Sequence, residues 1–295
     1  MQTKLTIVIP SYNAEKVIGE AITSALKQQY PLKEVIVVDD CSTDNTVNVA
    51  IGLGVKVIVN TKNLGIGGNL TKCFKEAQSR YVLFLCADDV FTGDMVASDV
   101  VSIFDARPRI GVIGRYYYQF MDGHAGAVMT VREKNILLSA INPSGMAFRN
   151  MEGVAASDRI FIEMPSVVAQ YLNSYSWTQL EYDTVAVRLK PSQNTGCNPK
   201  YYTEAPIKVL TDFYGKDFKY HLNLIQIKNR APKLLWREIW LTAKINPRNL
   251  VEPLFYLCAL TALIVPGSIL RHLSNFWRHR INRGRVSIIK RGDNG

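Results

Sequence analysis

The chain has 295 residues, of which 47% are hydrophobic and 20% charged, and a formal net charge of +10. That is enough apolar material for one large or two moderate packed domains, and it excludes a disordered chain or a small disulfide scaffold. Five cysteines, odd in number and without C-x-x-C spacing, argue against a zinc site and fit a reducing cytosol.

Strand and helix signals alternate along the first 115 residues. Leu5–Pro10 reads as a strand that stops at proline, and Asn13 as the cap of a helix running to about Gln28 with Val17, Ile18, Ala21, Ile22, Ala25 and Leu26 on one face. Glu34–Asp39 is a second strand. Asp44 can cap a short helix that closes at Gly52 and Gly54, and Val55–Asn60 is a third strand. A helix over Asn69–Gln78, a strand over Tyr81–Cys86 and a helix over Met95–Asp105 follow. This alternation implies an α/β domain with a doubly wound, mostly parallel sheet flanked by helices. Residues 116–215 are more irregular. Ile160–Leu172 fits a helix with Pro165 in its first turn or at a kink, Glu181–Leu189 alternates like a strand, and Lys190–Pro199 reads as loop.

The last 80 residues change character. They hold 15 basic and 4 acidic side chains, whereas residues 1–115 hold 12 of each and residues 116–215 hold 8 basic and 9 acidic. Within them Leu254–Val265 is an apolar run bracketed by Pro253 and Pro266. As a helix it would be roughly 18 Å long, short of the about 30 Å of bilayer hydrocarbon. With arginines on both sides and Trp236, Trp240 and Trp277 nearby, it reads as an interfacial anchor on an anionic membrane surface, with a core helix as the alternative. No nucleic-acid-binding module accompanies the basic residues, and no leader pattern precedes Leu5. Three segments are therefore expected: 1–115 as a nucleotide-binding half, 116–215 as a second half of the same domain, and 216–295 as a helical membrane-association segment.

Two of the expected strands end in paired aspartates, Asp39-Asp40 and Asp88-Asp89. Ligands of open α/β sheets bind beyond the carboxyl ends of the strands, so four carboxylates are expected along one rim. Such a rim suits a hard divalent cation, Mg²⁺ or Mn²⁺, carrying a nucleoside diphosphate. The four histidines show no metal spacing.

Four motifs in order, Ile7-Val8-Ile9-Pro10-Ser11-Tyr12-Asn13, Val37-Val38-Asp39-Asp40-Cys41-Ser42-Thr43-Asp44, Asn63-Leu64-Gly65-Ile66-Gly67-Gly68-Asn69 and Phe84-Leu85-Cys86-Ala87-Asp88-Asp89, resemble the family 2 glycosyltransferases of GT-A fold. The resemblance covers the first 115 residues closely and the next 75 loosely. It implies an inverting, metal-dependent transfer of a single sugar, hexose or deoxyhexose, from a UDP- or dTDP-linked donor to a glycan or lipid-linked acceptor. It further implies work on bacterial cell-surface polysaccharide or lipopolysaccharide, in the cytoplasm at the inner face of the cell membrane.

By that resemblance Pro10, Ser11 and Tyr12 line the base pocket, Asp39 meets the base or ribose, and Asp40 orders its loop. Asn63, Gly65 and Asn69 approach the donor, and Lys72 substitutes for an arginine that many members carry near Gly68. Asp88 faces ribose and metal, and Asp89 binds the metal. Cys86 stands where many members have another aspartate, and cysteine is a poor ligand for hard ions. The general base is expected at Glu163, with Asp158 as the competitor, in the helix-start position upstream of a strand that ends at Arg188. Two other readings stand beside this one: a nucleotidyltransferase, although Pro10–Glu15 lacks the glycine-rich grip on a triphosphate, and a degenerate scaffold at the membrane.

Overall fold

The computed structural model describes residues 4–121, 129–131, 142–158, 163–189 and 287–289. The chain divides into two units, Met1–Gly196 with Ser287–Gly295, and Cys197–Val286. The second unit lies outside the described residues, as do the Lys190–Pro199 loop and the apolar Leu254–Val265 run. Among the described residues no helix is long and apolar enough to cross a membrane.

The first unit opens with β1 (Leu5–Ser11), α1 (Ile18–Leu26), β2 (Lys33–Asp39), α2 (Thr46–Gly52), β3 (Lys56–Val59), α3 (Gly65–Glu76) and β4 (Tyr81–Phe84). It continues through β5 (Val90–Phe91), α4 (Val96–Ala106), β6 (Ile110–Met121), β7 (Met129–Val131), β8 (Ala147–Arg149), α5 (Glu163–Leu172), β9 (Ser176–Leu189) and β10 (Ser287–Ile289). One sheet runs in the order β10-β9-β6-β8-β4-β1-β2-β3, with β5 on β9 and β7 on β6. Strands β4, β1, β2 and β3 are mutually parallel, as are β6, β9 and β10. The antiparallel β8 joins the two parallel groups. The fold is thus the mostly parallel α/β sheet the alternation implied, with β8 as a reversal that the irregular 116–215 segment concealed.

The core follows the apolar patterning. Val35–Val38 and Tyr81–Leu85 are buried on both faces, as central parallel strands require. Ile18, Ala21, Ile22 and Ala25 turn one stripe of α1 into the sheet, while Leu26, expected on that face, lies exposed. An aromatic group, Phe74, Phe84, Phe148 and Tyr171, ties α3, β4, β8 and α5 together with centroids 5.0–5.8 Å apart.

Several boundaries differ from the sequence reading, each for a local reason. Strand β1 does not stop at Pro10 but pairs through Ser11 with Asp39. Even-numbered residues of β1 face β4, as Leu85 N donating to the Val8 carbonyl shows, and β4 pairing ends at Val8. Proline's missing N–H therefore falls where no partner strand waits. Asn13 is not a helix cap: α1 begins five residues later and Asn13 has φ +48°. Helix α3 starts at Gly65, inside the glycine cluster, rather than at Asn69. Strand β9 begins at Ser176 instead of Glu181, and β6 is a twelve-residue strand that the aromatic run Tyr116–Tyr118 did not announce. Pro165 does occupy the first turn of α5, where its absent N–H costs nothing.

The approach to β8 combines close packing with a left-handed backbone. Gly145 has φ +79°, and a Cβ there would lie 2.6 Å from Val185 Cγ2 and 3.0 Å from Arg115 Cγ. Gly145→Ala is therefore expected to destabilise the protein by about 2–4 kcal/mol, combining backbone strain with overpacking, and urea unfolding of the variant measures it.

Candidate active site

Because β1, β2 and β4 are parallel and in register, their carboxyl ends share one edge of the sheet. Ser11, Asp39 and the Cys86–Asp89 turn leave the sheet on that edge. The loops there hold the two non-glycine residues with positive φ among the described residues, Asn13 at +48° and Cys41 at +63°. Such conformations persist only where surrounding bonds fix them. Around Asn13 they do: its N–H donates to Ser42 Oγ (2.9 Å), and its Oδ1 accepts from Thr43 N (2.9 Å). Asp44 receives the N–H groups of Glu15 (3.1 Å) and Thr46 (3.0 Å), so it serves the start of α2 and also the loop after β1.

Asp39 is fully buried, and its carboxylate organises these loops. Oδ1 accepts from Ser11 Oγ (2.9 Å) and Ser42 Oγ (2.6 Å), and Oδ2 accepts from Ser42 N (2.8 Å). A carboxylate has about four lone-pair positions, so one on Oδ2 lies outside these three bonds. Asp40 faces the other way. Its Oδ1 accepts from Asn60 Nδ2 (2.9 Å) and Leu64 N (2.8 Å), fixing the connection into α3. Pro10 is partly buried beside Ser11, and Tyr12 stands 51% exposed on the rim.

The glycine segment meets this rim from β3. Asn63 Oδ1 accepts from Gly65 N (2.9 Å), and Gly65 takes φ +73°. A Cβ on Gly67 would lie 2.3 Å from the Ser157 carbonyl oxygen and 2.9 Å from Asp158 Oδ1. The glycine thus admits the 157–158 backbone onto the first turn of α3. Asn69 and Lys72 are turned to other work. Asn69 is buried, donates to the Val38 carbonyl (3.1 Å) and accepts from Asn60 Nδ2 (3.0 Å), so it bolts α3 to the strand ends. Lys72 pairs with Glu76 one turn on (2.6 Å).

Asp88 and Asp89 sit on the turn between β4 and β5. Together with Cys86 they form the candidate metal cluster among the described residues, their ligand atoms within 4.8 Å of one another. Asp89 is 2% exposed. Its Oδ2 accepts from Ser144 Oγ (2.5 Å), and its Oδ1 from the Arg188 backbone N–H (3.0 Å). Burial, and next the charge of Asp88, push its carboxyl well above the usual carboxylate range, while the two donors and Arg115 pull it back. Two carboxylates crowded this way are relieved by a divalent cation, and hard oxygen donors fit Mg²⁺ or Mn²⁺. Burial, then Asp89 and Asp88, raise the Cys86 thiol well above its ordinary value. That environment favours the neutral thiol, a weak ligand for hard ions.

Three residues that sequence reasoning missed build this turn. Ser144 Oγ accepts from Cys86 N (2.7 Å), which aims its own proton at Asp89. Arg115 is 1% exposed, donates to the Ser144 and Asn142 carbonyls, and lies 4.7 Å from the Tyr117 ring centroid. Glu20 on α1 pairs with Arg188 Nη2 at 2.5 Å. Arg188, noted from sequence only as a strand end, also donates from Nε to the Asp88 carbonyl (3.1 Å). No local sequence pattern marks Arg115; its burial within β6 is visible only in the folded chain.

The two base candidates flank the α3 turn. Asp158 is exposed beside Gly67, and Glu163 is buried as the first residue of α5. Ser166 Oγ connects them, accepting from Ser157 N (2.8 Å) and donating to the Glu163 carbonyl (2.6 Å). The segment between them, 159–162, lies outside the described residues. A larger cleft of about 1160 Å³ opens at the opposite edge of the sheet, beside Lys4, Lys75, Arg80 and Arg149. It contains none of the paired aspartates.

Comparison with known proteins gives one consistent picture. The family model described as "Glycosyl transferase family 2" matches residues 6–150. Poly(ribitol-phosphate) beta-N-acetylglucosaminyltransferase TarS of Staphylococcus aureus is 39% identical over 147 residues, 45% of this chain and 26% of that protein. UDP-Glc:alpha-D-GlcNAc-diphosphoundecaprenol beta-1,3-glucosyltransferase WfgD of Escherichia coli is 33% identical over 99 residues, 32% of this chain and 39% of that protein. The matches thus span well under half the length of these relatives. The crystal structure of TarS residues 1–349 with UDP-GlcNAc superposes with TM-score 0.60 at 18% identity, covering 94% of this chain and 92% of that one. That of the mannosyltransferase PcManGT from Pyrobaculum calidifontis with GDP-Man and Mn²⁺ does so with TM-score 0.52 at 16% identity, covering 95% and 81%. Both likenesses establish a GT-A-like α/β fold.

The Ser144 hydroxyl gives this geometry a direct check. Ser144→Ala leaves a buried carboxylate oxygen and the Cys86 N–H each short of a partner, and is expected to cost about 1–3 kcal/mol of stability in metal-free buffer, measured by chemical denaturation.

Proposed function

We propose, from the premise that residues 6–150 are a glycosyl transferase family 2 domain, that this chain is an inverting, metal-dependent glycosyltransferase. It moves a single hexose or deoxyhexose from a UDP- or dTDP-linked donor to a glycan or lipid-linked acceptor of the bacterial cell surface. The observation that carries the reading is the Asp88-Asp89 turn, two crowded carboxylates on the same sheet edge as Asp39, with hard-ligand chemistry. The names of the relatives support the substrate class: TarS is a poly(ribitol-phosphate) beta-N-acetylglucosaminyltransferase crystallised with UDP-GlcNAc, WfgD is a UDP-Glc:alpha-D-GlcNAc-diphosphoundecaprenol glucosyltransferase, and the PcManGT structure holds GDP-Man and Mn²⁺.

The residues divide the work as follows. Ser11, Tyr12 and the remaining Oδ2 lone pair of Asp39 receive the base and ribose. Asp88 and Asp89 hold Mg²⁺ or Mn²⁺, which when bound offsets the negative charge of the departing nucleoside diphosphate. Glu163, or Asp158 in its place, takes the proton of the acceptor hydroxyl as that hydroxyl attacks the anomeric carbon from the opposite face. The basic 216–295 segment docks on the anionic inner face of the membrane, next to a lipid-linked acceptor.

Product NMR is expected to show inversion at the anomeric carbon, and retention would overturn the mechanism. EDTA should abolish turnover and Mn²⁺ restore it, while Asp88→Ala and Asp89→Ala should each lower kcat by about 10²-fold or more. Of Glu163→Gln and Asp158→Asn, the variant that removes the base should lose about 10²–10⁴-fold in kcat, with donor affinity unchanged.

A further inference from the structure

The edge of the sheet opposite the acidic rim is basic. Lys4 and Arg80 stand one residue before β1 and β4, which pair in parallel from Leu5 and Tyr81, and Arg149 on the antiparallel β8 lies opposite Tyr81. The register thus brings all three to one place. Arg80 and Arg149 both lie against the Tyr81 ring, their guanidinium carbons 5.5 and 5.3 Å from its centroid. Lys75, in the last turn of α3, joins them on the wall of the cleft of about 1160 Å³, where Glu152 is the one acid among the described lining residues.

These cations are unevenly neutralised. Lys4 pairs with Asp105, which also accepts from the Tyr81 hydroxyl (2.6 Å), and Glu76 beside Lys75 pairs with Lys72. Lys75 and Arg80 are exposed and form no ion pair among the described residues. Arg149 is fixed in place: Nε donates to the Ile110 carbonyl (3.2 Å), Nη2 donates to the Phe104 carbonyl (2.8 Å), and the Phe104 ring centroid lies 5.3 Å from its guanidinium carbon. The carbonyls of Ala77 and Ser79, just past α3, would oppose an anion, but Asn150 Nδ2 donates to both. Like charges gathered along one concave wall raise the local potential, and a counter-anion relieves it.

We propose that this cleft is a second binding site, for the phosphate groups of a soluble ligand. Guanidinium and ammonium groups together suit phosphate oxygens, the one as a planar fork of donors and the other as a point charge. A recess of this size is built like a small-molecule site, whereas a plane of lipid headgroups needs no recess. Helix α3, 12 residues and roughly 18 Å long, runs from Gly65 at the acidic rim to the cleft, so a ligand here leaves the rim open. The site stands whether or not Asp88 and Asp89 hold a metal.

The test is a calorimetric titration of inorganic tripolyphosphate into the full chain in metal-free buffer, where the acidic rim repels the probe. The native chain is compared with Lys75→Gln/Arg80→Gln, with the charge-conserving Lys75→Arg/Arg80→Lys, and with Lys244→Gln/Arg248→Gln, which removes the same charge from the basic 216–295 segment. The expected result is binding at least about tenfold weaker in Lys75→Gln/Arg80→Gln, near-native binding in the other two, and unchanged melting temperatures without the probe. Native affinity in Lys75→Gln/Arg80→Gln would overturn the proposal, as would an equal loss in Lys244→Gln/Arg248→Gln, which would reduce the effect to net charge. A lowered melting temperature that accounts for the lost binding would overturn it as well. So would a native chain that ignores tripolyphosphate, and cosedimentation with phosphatidylglycerol vesicles through Lys75 and Arg80 would then assign these cations to a membrane surface instead.

Discussion

The rest of this structure is arranged around one buried carboxylate. Asp89 is withdrawn from water beside a second acid, a placement that costs free energy unless donors and positive charge are brought to it. The fold brings them from three distant parts of the chain. Ser144 arrives on the turn before β8, Arg188 near the end of β9, and Arg115 from within β6. A group satisfied by parts of the chain 55 and 99 residues away acts as a local keystone, tying the turn to the approach to β8 and to the end of β9.

The same logic explains why glycine and strained backbone concentrate here. Gly145 lets the Ser144 turn pass against Val185 and Arg115, and Gly67 lets residues 157–158 reach α3. Asn13 and Cys41 adopt positive φ in the loops that Asp39, Ser42 and Thr43 tie down. Each is a local cost accepted where loops from different strands must approach one another. The result is a rim with two kinds of acid. Asp39 and Asp40 hold protein to protein, while Asp88 and Asp89 crowd together beside Cys86 in the candidate metal cluster among the described residues.

What the sequence determined by itself was the part governed by short-range pattern. Val35–Val38 and Tyr81–Leu85 are continuous apolar runs, which only a strand buried on both faces accommodates, and their aspartates had to emerge at the strand ends. The order of four motifs was enough to identify the family resemblance before any coordinates. Pro165 in a first turn and the stripe of α1 were legible for the same reason: each depends on neighbours within a few residues.

Only the tertiary structure decided which polar side chains face a ligand and which face the protein. Asn69 sits in a motif that suggests donor contact, and the fold also uses its amide to join α3 to Val38 and Asn60. Ser144, Arg115 and Glu20 carry no local pattern at all, and they matter because β8, β6 and α1 deliver them to one turn. Strand β6 escaped notice because its partners, β8 and β9, are remote in sequence and a strand's stability lies in its neighbours more than in its own residues. Hydrogen-bond partners separated by a hundred residues leave no periodicity to read, since what selects them is the closing of the sheet and the need to satisfy a charge that closure has buried.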